Sequence, residues 1–171
     1  NLELRFSGAQ HGPVRIQRGS SGESRLNKSA ALLEAEALIA RGLQKEPSSP
    51  AWLQAKGRAD LLDGNYEAAI QSFQKALEIE PDSVSLQTDA ASAYFQRADL
   101  TDRVGDFGKA IELLSKALAS NPEDAVARFN RALVNEKMFL YRQAVEDWEH
   151  YLRIDSKGDW ANEATQHLNR L

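Results

Sequence analysis

The chain has 171 residues, 42% hydrophobic content and a formal net charge of -4. This acidic balance argues against a nucleic-acid backbone as the main partner, which would require a basic face. The absence of cysteine excludes a disulfide framework and a thiolate site. Because no apolar run approaches the length of a membrane span, we expect no direct membrane insertion by this part of the protein.

Residues 1–23 do not share the pattern of the rest. Apolar and polar residues alternate in two places, at Leu2, Leu4 and Phe6 and again at Val14 and Ile16. A period of two predicts two short strands, joined by SGAQHGP, and two strands alone are marginal in water. We therefore predict an extended, β-like arm that packs on the helices or belongs to an upstream domain. The stretch RGSSGES is typical of a flexible linker.

Residues 24–49 are predicted to form an N-terminal capping helix, the second half of an incomplete repeat. Leu26, Ala30, Leu33, Ala37, Ala40 and Leu43 are loosely periodic. Pro47 stands 34 residues before Pro81 and so keeps the phase of the repeat that follows.

The stretch from Trp52 to Pro81 organises the chain. Its second half carries one apolar stripe at spacings of three and four, made of Tyr66, Ala69, Ile70, Phe73, Ala76 and Leu77. Gly64 precedes this stripe in a turn where a positive φ costs glycine little. Pro81 then ends the helix, because proline lacks a backbone donor. The pattern is therefore helix, turn, helix and stop.

The same pattern returns twice. The matching stripes are Phe107, Ala110, Ile111, Leu114, Ala117 and Leu118, then Tyr141, Ala144, Val145, Trp148, Tyr151 and Leu152. Residues 50–83 and 125–158 are units of 34 residues, and residues 84–124 form a unit of 41. Ser49, Ser83 and Asp124 stand where a side-chain oxygen can cap the next helix.

These units resemble the tetratricopeptide repeat family, whose unit is 34 residues long. The resemblance rests on Gly57, Gly64, Tyr66, Ala69, Phe73, Ala76 and Pro81, on Gly105, Phe107, Ala110, Ala117 and Pro122, and on Ala132, Tyr141, Ala144 and Trp148. It implies an all-α, right-handed superhelix of about three repeats with helical caps. Leu53, Asp60, Tyr151 and Ser156 depart from the residues that the family prefers.

The second unit carries seven extra residues within 95–106. Either they lengthen the first helix by about two turns, or they form a loop before Gly105. A protrusion results in both cases. A tolerated surface extension is favoured over a partner-contact role.

Residues 159–171 are predicted to form the C-terminal capping helix. Trp160, Ala164, Leu168 and Leu171 make one stripe that would cover the last repeat, as a terminal cap must.

No set of residues predicts catalysis, a cofactor or a bound metal. The three histidines are His11, His150 and His167, and the last two form i,i+4 pairs with Glu146 and Glu163. Neither pair has further ligands at metal spacing, so solvated helix pairs are the favoured interpretation. We expect no enzymatic activity.

In the family that this chain resembles, the first helices of the repeats line a concave groove that holds peptides or partner helices. The residues that should line it are Gln54, Arg58, Leu61, Leu62, Thr88, Asp89, Ser92, Phe95, Phe129, Asn130, Leu133 and Lys137; we predict partner contacts by all of these except Leu62 and Asp89. Apolar rings beside one or two cations would suit a peptide with a hydrophobic anchor and an acidic flank. Alternatively, both phenylalanines are packed between helices and the groove is empty.

One sub-family clamps the acidic C-terminal tails of chaperones. Its cationic and amide positions correspond here to Gln54, Arg58, Asp89, Val126 and Asn130. A carboxylate at Asp89 would repel the carboxylate of such a ligand, so this specificity is not expected.

The favoured function is a protein-interaction scaffold that binds a peptide or partner segment in its groove. The alternative is a regulatory or sensing segment of a larger bacterial multidomain enzyme or signalling protein, because EDWEHYLRID and GPVRIQRG loosely resemble repeat regions that precede caspase-like CHAT protease domains. A further hypothesis is that the arm, with Leu2, Leu4 and Phe6, fills the groove of its own chain.

Overall fold

A computed structural model describes residues 30–171. The predicted strands, the linker and the first residues of the capping helix lie outside these residues. The described chain forms eight α-helices and no strand. They are α1 (Ala30–Lys45), α2 (Pro50–Leu62), α3 (Tyr66–Ile79), α4 (Val84–Thr101), α5 (Val104–Ser120), α6 (Ala125–Lys137), α7 (Tyr141–Ile154) and α8 (Asp159–Leu168). None of the helices in 30–171 is long and apolar enough to cross a bilayer.

The helices stack as a linear array of antiparallel hairpins. Each helix packs against the next along the chain, and α4 also contacts both α2 and α6. We call α2, α4 and α6 the inner layer, and α3, α5 and α7 the outer layer. Such an array is held by neighbour contacts and has no single central core. The prediction of an all-α helical-repeat solenoid is confirmed.

Small residues allow the helices within each hairpin to approach closely. Ala69, Ala76 and Phe73 are fully buried in α3. A Cβ placed on Gly57 would lie 2.5 Å from the Phe73 ring, so only glycine fits there. Two of the residues that carry the family resemblance are therefore in direct contact.

The turn inside each hairpin contains one residue with left-handed backbone. Gly64 has φ 75°, as its turn position predicted. Asp102 (φ 53°) and Phe139 (φ 59°) occupy the corresponding turns of the second and third hairpins. Gly105 has no such role, because it lies inside the first turn of α5.

The seven extra residues of the second unit form helix and not a loop. Helix α4 has 18 residues where α2 and α6 have 13, and α5 has 17 where α3 and α7 have 14. Arg97 joins the lengthened helices, since Nε and Nη2 donate to the two oxygens of Asp106 at 2.7 and 2.9 Å. It also donates to Glu67 of α3. The hydrogen bonds to Asp106 outweigh burial and raise the pKa of the Arg97 guanidinium.

Only one of the three predicted side-chain caps forms. Asp124 Oδ1 accepts from the backbone N–H of Ala127 at 2.8 Å. Ser49 and Ser83 have the extended backbone of an N-cap but make no capping bond through their side chains. The Ser83 hydroxyl lies instead 3.4 Å from the hydroxyl of Ser85.

Helix α8 closes the C-terminal end of the array. Its Ala164 is fully buried, and Trp160 packs 6.2 Å from the Phe129 ring, centroid to centroid. Leu171 was predicted to belong to the same stripe. It is 43% exposed, because the helix ends at Leu168.

Candidate functional site

The inner layer carries the residues that were predicted to contact a partner. Three of the ten keep partial exposure, namely Gln54, Arg58 and Lys137. The other seven are fully buried, namely Leu61, Thr88, Ser92, Phe95, Phe129, Asn130 and Leu133. Which of the ten contact a partner stays a prediction.

Polar contacts join α2 to α4 across the inner layer. Gln54 Nε2 donates to Asp89 Oδ2 at 2.8 Å and lies 3.2 Å from Ser85 Oγ. Arg58 Nε donates to the same Asp89 oxygen at 2.6 Å. The Asp89 side chain is completely buried, whereas that of Arg58 is 37% exposed. A buried carboxylate is stable only when it is paired, so Asp89 fixes the position of Arg58.

A second set of polar contacts joins α4 to α6. Asn130 Nδ2 donates to Ser92 Oγ at 3.4 Å, and Lys137 Nζ donates to Asp99 Oδ1 at 2.6 Å. We call the side chains of these two sets, together with Thr88, the inner face. The inner face is therefore a polar row that crosses all three inner helices.

The two phenylalanines of the predicted groove are packed within the array. Phe95 meets Phe107 edge to face with ring centroids 5.6 Å apart. Phe129 contacts Trp148 at 4.7 Å and Tyr151 at 5.2 Å. Both rings belong to the buried cluster of the helical array, as the alternative interpretation expected. Whether the groove is empty, the other part of that interpretation, stays a prediction.

Both cations of the inner face are paired with carboxylates. Arg58 binds Asp89 and Lys137 binds Asp99, so the described inner face presents no excess of positive charge. That a partner carries an apolar anchor and an acidic flank stays a prediction, and the paired cations reduce the positive charge available to an acidic flank.

The two helix pairs predicted around histidines do not form. His150 Nε2 lies 3.1 Å from Glu123 Oε1, while Glu146 binds Arg142. His167 is only 5% exposed, and its Nδ1 lies 2.9 Å from both oxygens of Glu136. The solvated-pair interpretation is wrong for His167, because α8 packs its imidazole face onto the array. Within 30–171, no group of three or more His, Cys, Asp or Glu side chains could hold a metal ion.

Glu136 connects the last three helices. Its carboxylate meets His167 of α8 and accepts from Trp148 Nε1 of α7. Burial alone would raise the pKa of this carboxyl, but the bonds to His167 and Trp148 outweigh it and hold the pKa of Glu136 below its usual value. The Trp148 and His167 rings also stack, 5.0 Å apart.

Sequence reasoning missed the buried carboxylate of Asp147. It accepts from Arg131 at 2.7 and 2.8 Å, from Arg128 at 3.1 Å and from Asn135 at 3.1 Å. Two arginines one helical turn apart, opposite an aspartate in the apolar face of the next helix, are the signal that could have found this cluster. It holds α6 against α7 and is structural.

Comparison of the sequence with models of known protein families agrees with this architecture. The family model described as "TPR repeat" matches residues 57–97, and the model described as "Tetratricopeptide repeat" matches residues 95–137. The chain belongs to the tetratricopeptide repeat family. The two matched stretches cover most of the first two TPR hairpins and helix α6 of the third.

Solved TPR structures superpose on most of the described array. A thermophilic TPR protein of Thermus thermophilus is similar with a TM-score of 0.68 and 21% identity, over 82% of this chain and 74% of that one. The first TPR of Spaghetti (RPAP3), bound to the HSP90 peptide SRMEEVD, is similar with a TM-score of 0.62 and 24% identity, over 71% of this chain and 90% of that one.

A curated relative is the dynein axonemal assembly factor 4 of Rattus norvegicus. It is 29% identical over 114 residues, which are 66% of this chain and 27% of that protein. The chain thus spans about a quarter of the length of this relative.

Proposed function

We propose that this TPR array is a protein-interaction module that binds an extended partner segment along the inner face. The observation that carries the proposal is the row of partly exposed polar side chains across α2, α4 and α6, which includes Gln54, Ser85 and Lys137. An extended segment has unpaired backbone N–H and C=O groups along its whole length. Partly exposed polar side chains in a row can satisfy those groups without demanding one particular sequence.

The charges of the inner face favour a neutral or basic segment. Arg58 and Lys137 are each held by a carboxylate at 2.6 Å, so neither offers a full positive charge to a ligand. The related Spaghetti TPR holds the peptide SRMEEVD, in which three residues are acidic. The present array shares the fold of that TPR, and the proposal gives it a different ligand charge.

A library of peptides displayed on phage, selected on the intact chain, tests this function. The inner-face variant is Gln54→Ala with Ser85→Ala, two uncharged side chains that are only partly buried. The matched control is Lys109→Ala with Lys116→Ala on the exposed surface of α5, where the side chains are 60% and 58% exposed.

Selected peptides should bind the inner-face variant about tenfold more weakly and the α5 variant as well as the unmodified chain. Equal losses in the two variants, or none in the first, would contradict the proposal. Selected peptides rich in Asp and Glu would contradict the charge argument.

A further inference from the structure

We propose that a cavity between α1 and α3 binds a carboxylate that carries a short aliphatic group. The cavity has a volume of about 310 Å³, and residues of α2 also line it. It shares no side chain with the inner face, so it is a second site that the proposed function does not use. One part of its wall is apolar and consists of Leu43, Pro47, Leu53 and Ala68.

The corresponding place in the third unit holds an internal carboxylate. Asp147 is the seventh residue of α7, and Ser72 is the seventh residue of α3. Arg131, which binds Asp147 at 2.7 Å, is likewise the counterpart of Lys56, since each is the seventh residue of its helix. Because serine is shorter than aspartate and uncharged, the first unit has a cation beside an open space where the third unit has an ion pair.

A second difference between the units lies on the apolar wall. The fourth residues of α4 and α6 are Gln87 and Arg128, and each donates a hydrogen bond at 2.7 Å to the carbonyl of the proline six residues earlier. The fourth residue of α2 is Leu53, which has no donor and cannot make this bond. Its side chain lines the cavity together with Pro47. The first unit therefore has an apolar wall where the other two units have a polar bridge.

Two polar side chains of α3 line the cavity without partners in the part of the chain that the structure describes. Ser72 is only 5% exposed, yet its hydroxyl makes no hydrogen bond within residues 30–171. Lys75 makes no ion pair within that range, and the residue one turn before it is the uncharged Gln71. In the second unit the corresponding Lys116 binds Glu112 at 2.8 Å. A buried hydroxyl and a cation, three residues apart on one helix face, can therefore receive an anion.

The charge and the volume of the cavity define the class of ligand. Its lining contains two lysines and no carboxylate. Lys56 is paired with Asp60 at 2.6 Å, so the full positive charge offered to a ligand is that of Lys75. A carboxylate can accept charge-assisted hydrogen bonds from an ammonium and a hydroxyl at the same time. A short branched aliphatic group suits the apolar wall, since small-molecule sites range from about 300 to 1,000 Å³.

Titrations of the intact, isotope-labelled chain followed by nuclear magnetic resonance test this proposal. The probes are isocaproate, a free aliphatic acid, and N-acetyl-leucine, which reproduces the C-terminal leucine of a peptide. N-acetyl-leucinamide has the same side chain without the carboxylate and is the control ligand. Both carboxylates should shift the backbone amide signals of Ser72 and Lys75 with dissociation constants on the order of 1 mM. The uncharged control should bind about tenfold more weakly.

Two variants locate the bound carboxylate. Lys75→Gln should weaken N-acetyl-leucine about tenfold, whereas the matched change Lys116→Gln on α5 should leave it unaltered, because that lysine already binds Glu112. Both lysines are on the exposed surface, so neither change threatens folding. Ser72→Asp, which places a carboxylate where the third unit has one, should abolish binding by occupying the site.

Tighter binding of isocaproate would identify a free acid as the ligand, and tighter binding of N-acetyl-leucine would identify a peptide C-terminus; both outcomes support the site. Equal affinity for N-acetyl-leucine and its amide, equal losses in the two lysine variants, or signal shifts that avoid α1–α3 would overturn it. The inner-face variant Gln54→Ala, Ser85→Ala should leave N-acetyl-leucine binding unchanged. Failure of the cavity and failure of the proposed function are therefore distinguishable.

Discussion

The two ends of the helical array are built differently. At the C-terminal end, Trp148 and Tyr151 are completely buried, and α8 is fixed by the bond between His167 and Glu136. At the N-terminal end, Leu33 and Leu38 of α1 are 52% and 53% exposed, and Gly42 is the only buried residue of that helix. Because repeat arrays gain stability at interfaces between neighbours, we expect stability to be concentrated towards α6–α8.

The largest effect should come from removing the centre of the C-terminal end. Trp148→Ala deletes a fully buried ring that contacts Phe129, Tyr151 and His167. The loss in unfolding free energy should be about 3–5 kcal/mol, measured by urea denaturation. The matched change Leu38→Ala in α1 should cost less than about 0.5 kcal/mol, since that side chain is half exposed. Similar costs at the two ends would remove the distinction.

A smaller effect is expected where α1 joins the array. A Cβ on Gly42 would lie 2.3 Å from the Trp52 ring, so Gly42→Ala should displace α1 and cost about 1–3 kcal/mol. Hydrogen exchange should show lost protection in residues 30–45 and little change in α6–α8. At Gly108, no atom lies within 4 Å of the added Cβ, and the control Gly108→Ala should raise stability by about 0.5–1 kcal/mol. Loss of protection throughout the chain would show that α1 is not a separate unit.

The contact between Glu136 and His167, which holds α8 on the array, should weaken in acid. The pKa of Glu136 is lowered in the folded state, so its contribution is complete above the unfolded pKa near 4.5 and is lost as the pH falls through the lower folded value. Glu136→Gln should cost about 1 kcal/mol at neutral pH and should flatten this part of the curve of melting temperature against pH. His167, Trp148 and Arg170 are the groups that face this carboxyl. The control Glu149→Gln on the exposed face of α7 should leave the curve unchanged. If Glu136→Gln lost melting temperature in acid just as the unmodified chain does, Glu136 would not be the group responsible.

The smallest effect on stability is expected in the hairpin turns. The first hairpin has a glycine at the left-handed position of its turn, whereas the third has a phenylalanine. Gly64 adopts a positive φ without strain, whereas Phe139 does so with a bulky side chain that is 76% exposed. Phe139→Asn should therefore raise stability by about 0.5 kcal/mol, because asparagine tolerates this conformation and little buried area is lost. Gly64→Ala should instead lower the melting temperature, because alanine is strained at this positive φ. A stability loss in Phe139→Asn would mean that the ring contributes through its contact with Tyr141.

Local patterns were sufficient to predict the architecture. The stripe containing Ala69, Phe73 and Ala76 and the turn at Gly64 follow from spacing and backbone chemistry, and they recur. The burial of His167 and Asp147 did not follow, since it depends on which side chains of α6 face α7 and α8. Nor did the pairing of Arg58 with Asp89, because two residues 31 positions apart meet only once the inner helices are stacked.

The neighbour-only pattern of contacts has a consequence for how the chain folds. Each helix mainly needs the one before or after it, so contact order is low and the array should fold quickly. During synthesis α1 emerges first, yet it has the least surface on which to fold alone. The aromatic cluster of α6–α8 is complete only after all the preceding helices have been synthesised. Folding should therefore nucleate late in the chain and spread backwards, with α1 the last helix to dock and the first to leave.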